Sequence, residues 1–280
     1  MHQKNNSHSK RGSFFGYFYM CLCVVIALFP IVWVILSSFK TNMQILSSGI
    51  SLPTSISFAG YKMALEISPI LRFFGNSIVV TGVSTFLNVF LVSLASYVFA
   101  RTSFKGKSSI YLLLSTSLVI PATALLHPVY LVVNTLKLGD TTPGLILVYT
   151  ALNLPMTLLI MRSTFLGVPK SLEEAAYMDG AGFCRTFFTI MLPCAKAGLS
   201  SAAVLAFLNA WNEFTFALVL TKSASTRTLP LSLSYFTSQF SFNYTALFAA
   251  VTMAVLPSIV VFAIFQEQVS SSLVVGAVKE

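Results

Sequence analysis

Two stretches, residues 14–39 and 73–100, contain no charged side chain, and each exceeds the roughly 20 apolar residues a helix needs to cross a bilayer. Runs of that kind leave little choice of surroundings. Charged residues make up 9% of the chain, against about 25% in soluble domains, while apolar residues reach 56% and mean hydropathy is +0.82. A soluble protein of 280 residues could not bury that much apolar surface with so few charges left to face water. The fold class expected is therefore an all-α integral membrane protein. The net charge of +9 does not point to nucleic acid. The basic residues fall in short clusters beside apolar runs, where they orient spans, and no aromatic-interleaved basic groove accompanies them.

Six spans are expected: residues 14–39, 73–100, 110–135, 144–161, 199–220 and 244–265. The first follows a polar, basic tail (1–13) and is too long for a signal-peptide core, so it reads as retained. Residues 40–72 read as an external loop with a short surface helix near 61–67. In the second span Asn76, Ser77, Asn88, Ser93 and Ser96 form a polar stripe suited to a helix–helix face or a wet path. Arg101, Lys105 and Lys107 then read as a basic turn. The third span is interrupted by Pro121 and His127-Pro128, the fourth contains Pro155, and the fifth is one helix carrying Asn209, Asn212 and Glu213. With the N-terminal tail inside, the basic residues Lys40, Lys62, Arg72, Lys137, Lys222 and Arg227 lie outside and the other eleven of 17 lie inside, as the positive-inside rule requires. Both termini and the loop 167–198 are then cytoplasmic.

That loop is the most polar run between two apolar regions, yet it is patterned. Ser171 followed by Glu174 fits a capping box. Glu173 and Glu174 fall where a helix N-terminus favours negative charge. Gly180 fits a left-handed C-cap, and a second helical run, 183–191, is expected to stop near Pro193. An amphipathic connector on the membrane surface would place Glu173, Glu174 and Asp179 against anionic lipid head groups, so a basic protein partner suits them better.

Other local features favour bland readings. Gly106-Lys107-Ser108 lacks the second glycine of a phosphate-binding loop, because Arg101 stands there. His127 is the only histidine in a span and reads as a packed core residue. Cys21, Cys23, Cys184 and Cys194 lack both the spacing and the partner histidines of a zinc site. Glu213 differs, since an intramembrane carboxylate costs about 2.5–3.5 kcal/mol on insertion scales. It must face water, a partner or a cavity, and with Asn209 and Asn212 it marks a candidate translocation path. A structural hydrogen bond between spans is the competing reading.

The loop also carries a family resemblance. Glu174-Ala175-Ala176, three residues, Gly180, nine residues, Ile190, one residue, Leu192-Pro193 resembles the signature of permease subunits of binding-protein-dependent ABC importers. Asp179 and Ala181 flank its glycine. Asn76-Ser77, Ser96 to Arg101 with Gly106, Gly139-Asp140-Thr141, Trp211-Asn212-Glu213-Phe214, Thr228-Leu229-Pro230 and Gly276-Ala277-Val278-Lys279 resemble the carbohydrate-uptake branch, similar to the maltose-type permeases. Ala197 and Glu280 depart from that pattern. The resemblance implies a type I importer fold with an N-terminal helix (14–39), a five-helix core (73–266) and a C-terminal tail (267–280). It implies a heterodimer with a second permease, two ATPase subunits that carry the ATP and magnesium, and an extracytoplasmic solute-binding protein. No catalytic or metal site and no directly bound cofactor is expected in this chain. Glu174 would pair with a basic group in the ATPase cleft, Ala175 and Ala176 would allow close approach, and Gly276 to Lys279 would reach the ATPase dimer. An ion-driven carrier or a non-transporting scaffold are the alternative classes; the first would want intramembrane charge relays beyond Glu213.

Overall fold

The structure, a computed structural model, describes residues 7–238 and 241–277. Contacts divide the chain into two units: residues 1–68 with 235–253, and residues 69–234 with 254–280.

In the first unit, α1 (Ser7–Ser37) is followed by α2 (Asn42–Ser47) and α3 (Ala59–Ile67). The capping box Thr41–Gln44 starts α2, each residue's side chain bonding the other's backbone N–H. The segment read as an external loop with a short surface helix near 61–67 does carry that helix, α3, and is tied down. Trp33 Nε1 donates to the Gly49 carbonyl at 2.7 Å, and Lys40 Nζ donates to the same oxygen at 3.1 Å. Lys40 is fully buried rather than solvated. A two-residue antiparallel pair, Thr237–Ser238 with Ser241–Phe242, is the only β structure among the described residues.

The second unit is built on α4 (Ile70–Arg101), α5 (Lys107–Thr116), α6 (Leu126–Thr135) and α7 (Thr142–Gly167). Helices α4 and α7 pack along their length, and the polar stripe explains how. Asn88 Nδ2 donates to the Thr150 carbonyl at 3.0 Å, and Ser96 Oγ donates to that of Leu158 at 3.4 Å. Nearer the start of α4, Asn76 Nδ2 donates to the Arg227 carbonyl at 2.9 Å, while Ser77 Oγ accepts from the Leu229 N–H at 2.7 Å. The stripe is a helix–helix face and a loop anchor. Such contacts average about 0.6 kcal/mol in membranes, so they set register more than they supply stability.

The two prolines that interrupt the third span act differently. Pro121 sits between α5, extended by a 3-10 turn to Val119, and the short turn leading into α6, and the two arms meet at 104°. Pro128 lies in the first turn of α6, where its missing N–H is not needed, and no break occurs there. Among the described residues, four helices are long and apolar enough to span a bilayer, or up to six if each bent pair counts as one span.

Candidate functional site

The patterned loop folds as α8 (Ser171–Met178), α9 (Phe183–Thr186), a π-helical turn (Phe187–Met191) and α10 (Leu192–Cys194), which leads into α11 (Lys196–Trp211). The expected Ser171–Glu174 capping box does not form. Lys170 already has helical φ and ψ, so its carbonyl accepts from the N–H groups of Glu173 and Glu174, and Ser171 lies inside the helix, not at its cap. At the other end the reading holds. Gly180 has φ +76°, its N–H bonds the Tyr177 carbonyl, and the Ala181 N–H bonds that of Ala176, a complete Schellman motif.

The second run stops near Pro193, as expected, ending at Cys194. The π turn closes with the Leu192 N–H on the Phe187 carbonyl, and Pro193 lies in the first turn of α10, where a proline needs no donor. The bend comes at Ala195, with 77° between the segment 183–194 and α11. The expected fifth span is also broken. Helix α11 ends at Trp211, and α12 (Thr215–Leu220) begins after residues 212–214.

Helix α8 has two contrasting faces. Glu174, Ala175 and Asp179 are exposed, together with Met178 at 88%, and Gly180 continues that surface. Farther along, Ala181, Ile190 and Leu192 are half-buried and Pro193 is exposed. Glu173 and Ala176 face inward and are buried. Glu173 Oε2 lies 3.4 Å from Arg101 Nε at the end of α4, and Arg101 Nη2 donates to the Val168 carbonyl at the end of α7. Beneath the loop, the buried Tyr97 ring packs on Phe165, Phe183 and Phe187 at 5.5, 5.1 and 5.1 Å. Helix α11 closes on α7 nearby: a Cβ on Gly198 would come within 2.0 Å of Thr164 Oγ1.

Arg101, Tyr97 and Glu173 were not singled out from sequence as a group. The usable signal is that Tyr97 and Arg101 are four residues apart at the end of a charge-free run, hence on one face of α4. Reading Arg101 only as part of a basic turn missed the burial of its side chain.

The second candidate cluster lies where α11 gives way to α12. Glu213 Oε1 accepts from the Phe216 N–H at 2.7 Å; Oε2 accepts from the Ala217 N–H at 3.0 Å and the Tyr149 hydroxyl at 2.8 Å. The carboxylate thus caps a helix start and joins it to α7. Asn209 Nδ2 donates to Asn153 Oδ1 at 3.2 Å, and Asn153 Nδ2 donates to the Tyr149 carbonyl at 2.9 Å. The structure therefore brings Asn209 and Glu213 into one network through Asn153 and Tyr149. Asn212 is exposed and accepts from Ser258 Oγ at 3.3 Å, on the last helix, α13 (Tyr244–Ala277). A cavity of about 700 Å³ lies apart from this cluster, and Ser117 is the only polar side chain among its lining residues. It offers a polar solute almost nothing to bond. Of the tail positions, Gly276 and Ala277 end α13, while Val278 and Lys279 lie outside the described residues.

At the opposite end of α7, Asp140 clasps two loops together. Its Oδ1 accepts from the backbone N–H groups of Lys222 and Ser223 and from the hydroxyls of Ser223 and Thr226, at 2.8, 3.1, 3.1 and 2.5 Å. Burial pushes the Asp140 carboxyl up, but these donors outweigh it and hold the group down at about 2.

Residues 89–275 match the family described as binding-protein-dependent transport system inner membrane component. The diacetylchitobiose uptake system permease protein NgcG of Streptomyces coelicolor is 34% identical over 96% of this chain and 90% of its own length. The sulfoquinovosyl glycerol transport system permease protein SmoH of Agrobacterium fabrum is 33% identical over 92% of this chain and 91% of its own. Among solved structures, a chain of a bacterial ABC transporter that imports alginate superposes with a TM-score of 0.82 at 20% identity, covering 95% of this chain and 99% of that one. A chain of the MetNI methionine transporter, in inward-facing form, covers 72% of this chain and 95% of its own with a TM-score of 0.56 at 18% identity.

Proposed function

The chain belongs to the binding-protein-dependent transport system inner membrane components, and from that premise we propose that it is the force-receiving half of an ATP-driven sugar importer. Membership sets aside the ion-driven carrier and the scaffold. The observation that carries the reading is the two-faced α8. One face presents Glu174, Ala175 and Asp179 with nothing built over them, and the other is anchored to the ends of α4 and α7. An element exposed on one side and pinned on the other can accept a load and pass it on.

Glu174 then meets a basic group in the cleft of a cytoplasmic ATPase, Ala175 lets the two surfaces approach, and Gly180 turns the chain back. Two ATPase subunits hold the ATP and magnesium, and their closure drives the spans between inward-open and outward-open arrangements. A second, homologous permease completes the pathway, and an extracytoplasmic binding protein delivers the solute. The relatives' named cargoes favour an oligosaccharide or a glycoside. Asn209 and Asn212 are exposed, and each amide keeps a hydrogen-bonding site beyond its contacts with Asn153, Leu208 and Ser258, so they suit such a solute better than Glu213, whose two oxygens already take three donors.

Glu174→Lys tests the docking face. The variant inserts normally but loses the ATPase on co-purification, and uptake falls to background; a variant that keeps both refutes the assignment. Orientation has its own check in Cys184 and Cys194, both free and exposed. In intact cells carrying Ser at Cys21 and Cys23, an impermeant maleimide leaves them unlabelled, and labelling from outside overturns the topology.

A further inference from the structure

We propose that Arg101 and Glu173 form a latch that makes α4 move as one body with the docking helix α8, a positioning role for two residues outside the docking face. The proposal rests on the reading of α8 as the ATPase-docking element. The chain joins α8 to α7 by the short link Val168 to Lys170 and to α9 by the glycine elbow 179–182, but to α4 by neither. A helix held only by such short links can swivel against its neighbour when pushed. The guanidinium supplies the direct tie to α4. It is on the last residue of α4, it lies 3.4 Å from a carboxylate in the first turn of α8, and it donates to the carbonyl that ends α7.

The placement suits the charges. Arg101 sits at the C-terminal ends of two helices and Glu173 at the N-terminal end of a third, so each charge lies in the favourable field of the helices it joins. The two side chains are only 6% and 11% exposed, which keeps their attraction from being screened by solvent. Among the described residues, Arg101 Nε and Glu173 Oε1 have no hydrogen-bond partner. The pair is therefore held by charge more than by directional bonds. Coulomb attraction varies slowly with angle, so the latch tolerates small rotations during the cycle without opening. The aromatic layer of Tyr97, Phe183 and Phe187 beside it carries compressive load but cannot resist being pulled apart as an ion pair does.

The test measures shared motion directly and needs no transported solute. Spin labels are placed at Ser171→Cys on α8 and at Phe90→Cys on the exposed side of α4, with the native cysteines replaced by Ser. Distance distributions are recorded for the full permease in lipid, alone and assembled with ATPase and ATP-vanadate. The unaltered pair and Arg101→Lys are expected to give one narrow distribution in both states. Arg101→Met and the near-isosteric Glu173→Gln are expected to broaden it about twofold, and the reversed pair R101E/E173R to narrow it again. Equal widths in all variants overturn the latch, as does a broad distribution in the unaltered chain. Should Arg101→Met fail to insert, Glu173→Gln decides alone. Co-purification of the unaltered chain with the ATPase is scored separately, so its failure strikes the docking reading and leaves the width result standing on its own.

Discussion

Two glutamates hold helices together in this protein, by opposite means. Glu213 is satisfied by donors three and four residues ahead of it and by one hydroxyl from α7, so nearly all its bonding is local and directional. Glu173 depends on a partner at the far end of another helix, at ion-pair distance, with one carboxylate oxygen left over. The first arrangement makes a fixed joint within a broken helix. The second makes a connection between rigid bodies that can adjust while staying closed. Where a membrane protein must keep its shape and where it must transmit a push thus call for different chemistry around the same carboxylate.

The comparison can be broken most decisively at Glu213. Glu213→Val strips acceptors from two N–H groups and the Tyr149 hydroxyl, and should lower stability by about 3 kcal/mol, read as a lower Tm in detergent. Glu213→Gln should cost less, because the amide keeps one acceptor. If Glu213→Val melts like the unaltered chain but no longer transports, the fixed-joint description fails and a path role replaces it. Next in size is Gly198→Leu, which drives a side chain into Thr164 and should cost about 2 kcal/mol by forcing α11 off α7. Tyr149→Phe sharpens the contrast further: it removes one of three bonds to Glu213 and should cost about 1 kcal/mol with transport preserved.

The smallest expected effect concerns Asp140. Its carboxyl is held at about 2, below its ordinary 3.8, so it adds stability above pH 3.8 that is lost as pH falls through about 2. Melting from pH 5 down to 2 should therefore drop more steeply for the unaltered protein than for Asp140→Asn. Parallel curves would remove the clasp from the account.

Much of this architecture could be read from residue pattern, and the failures share a cause. Gly180 was legible because only a residue without Cβ is at ease at positive φ, a strictly local demand. Ser171 was misread because a cap is defined by where the helix begins, and Lys170 had already begun it. The span expected over residues 199–220 looked continuous by hydropathy. Its break is made by a carboxylate turning back onto N–H groups, which hydropathy does not register. The burial of Arg101 was invisible for a third reason: its partners come from α7 and α8, and nothing within a few residues of it announces them.

The Asp140 clasp and the docking loop stand at opposite ends of α7, a helix of 26 residues and so about 39 Å long. A push at the docking loop therefore acts at the far end of a long arm whose other end the clasp holds. A displacement of about 3 Å there reaches Asp140 as a turn of only about 5°. Length alone converts a stroke into a small rotation.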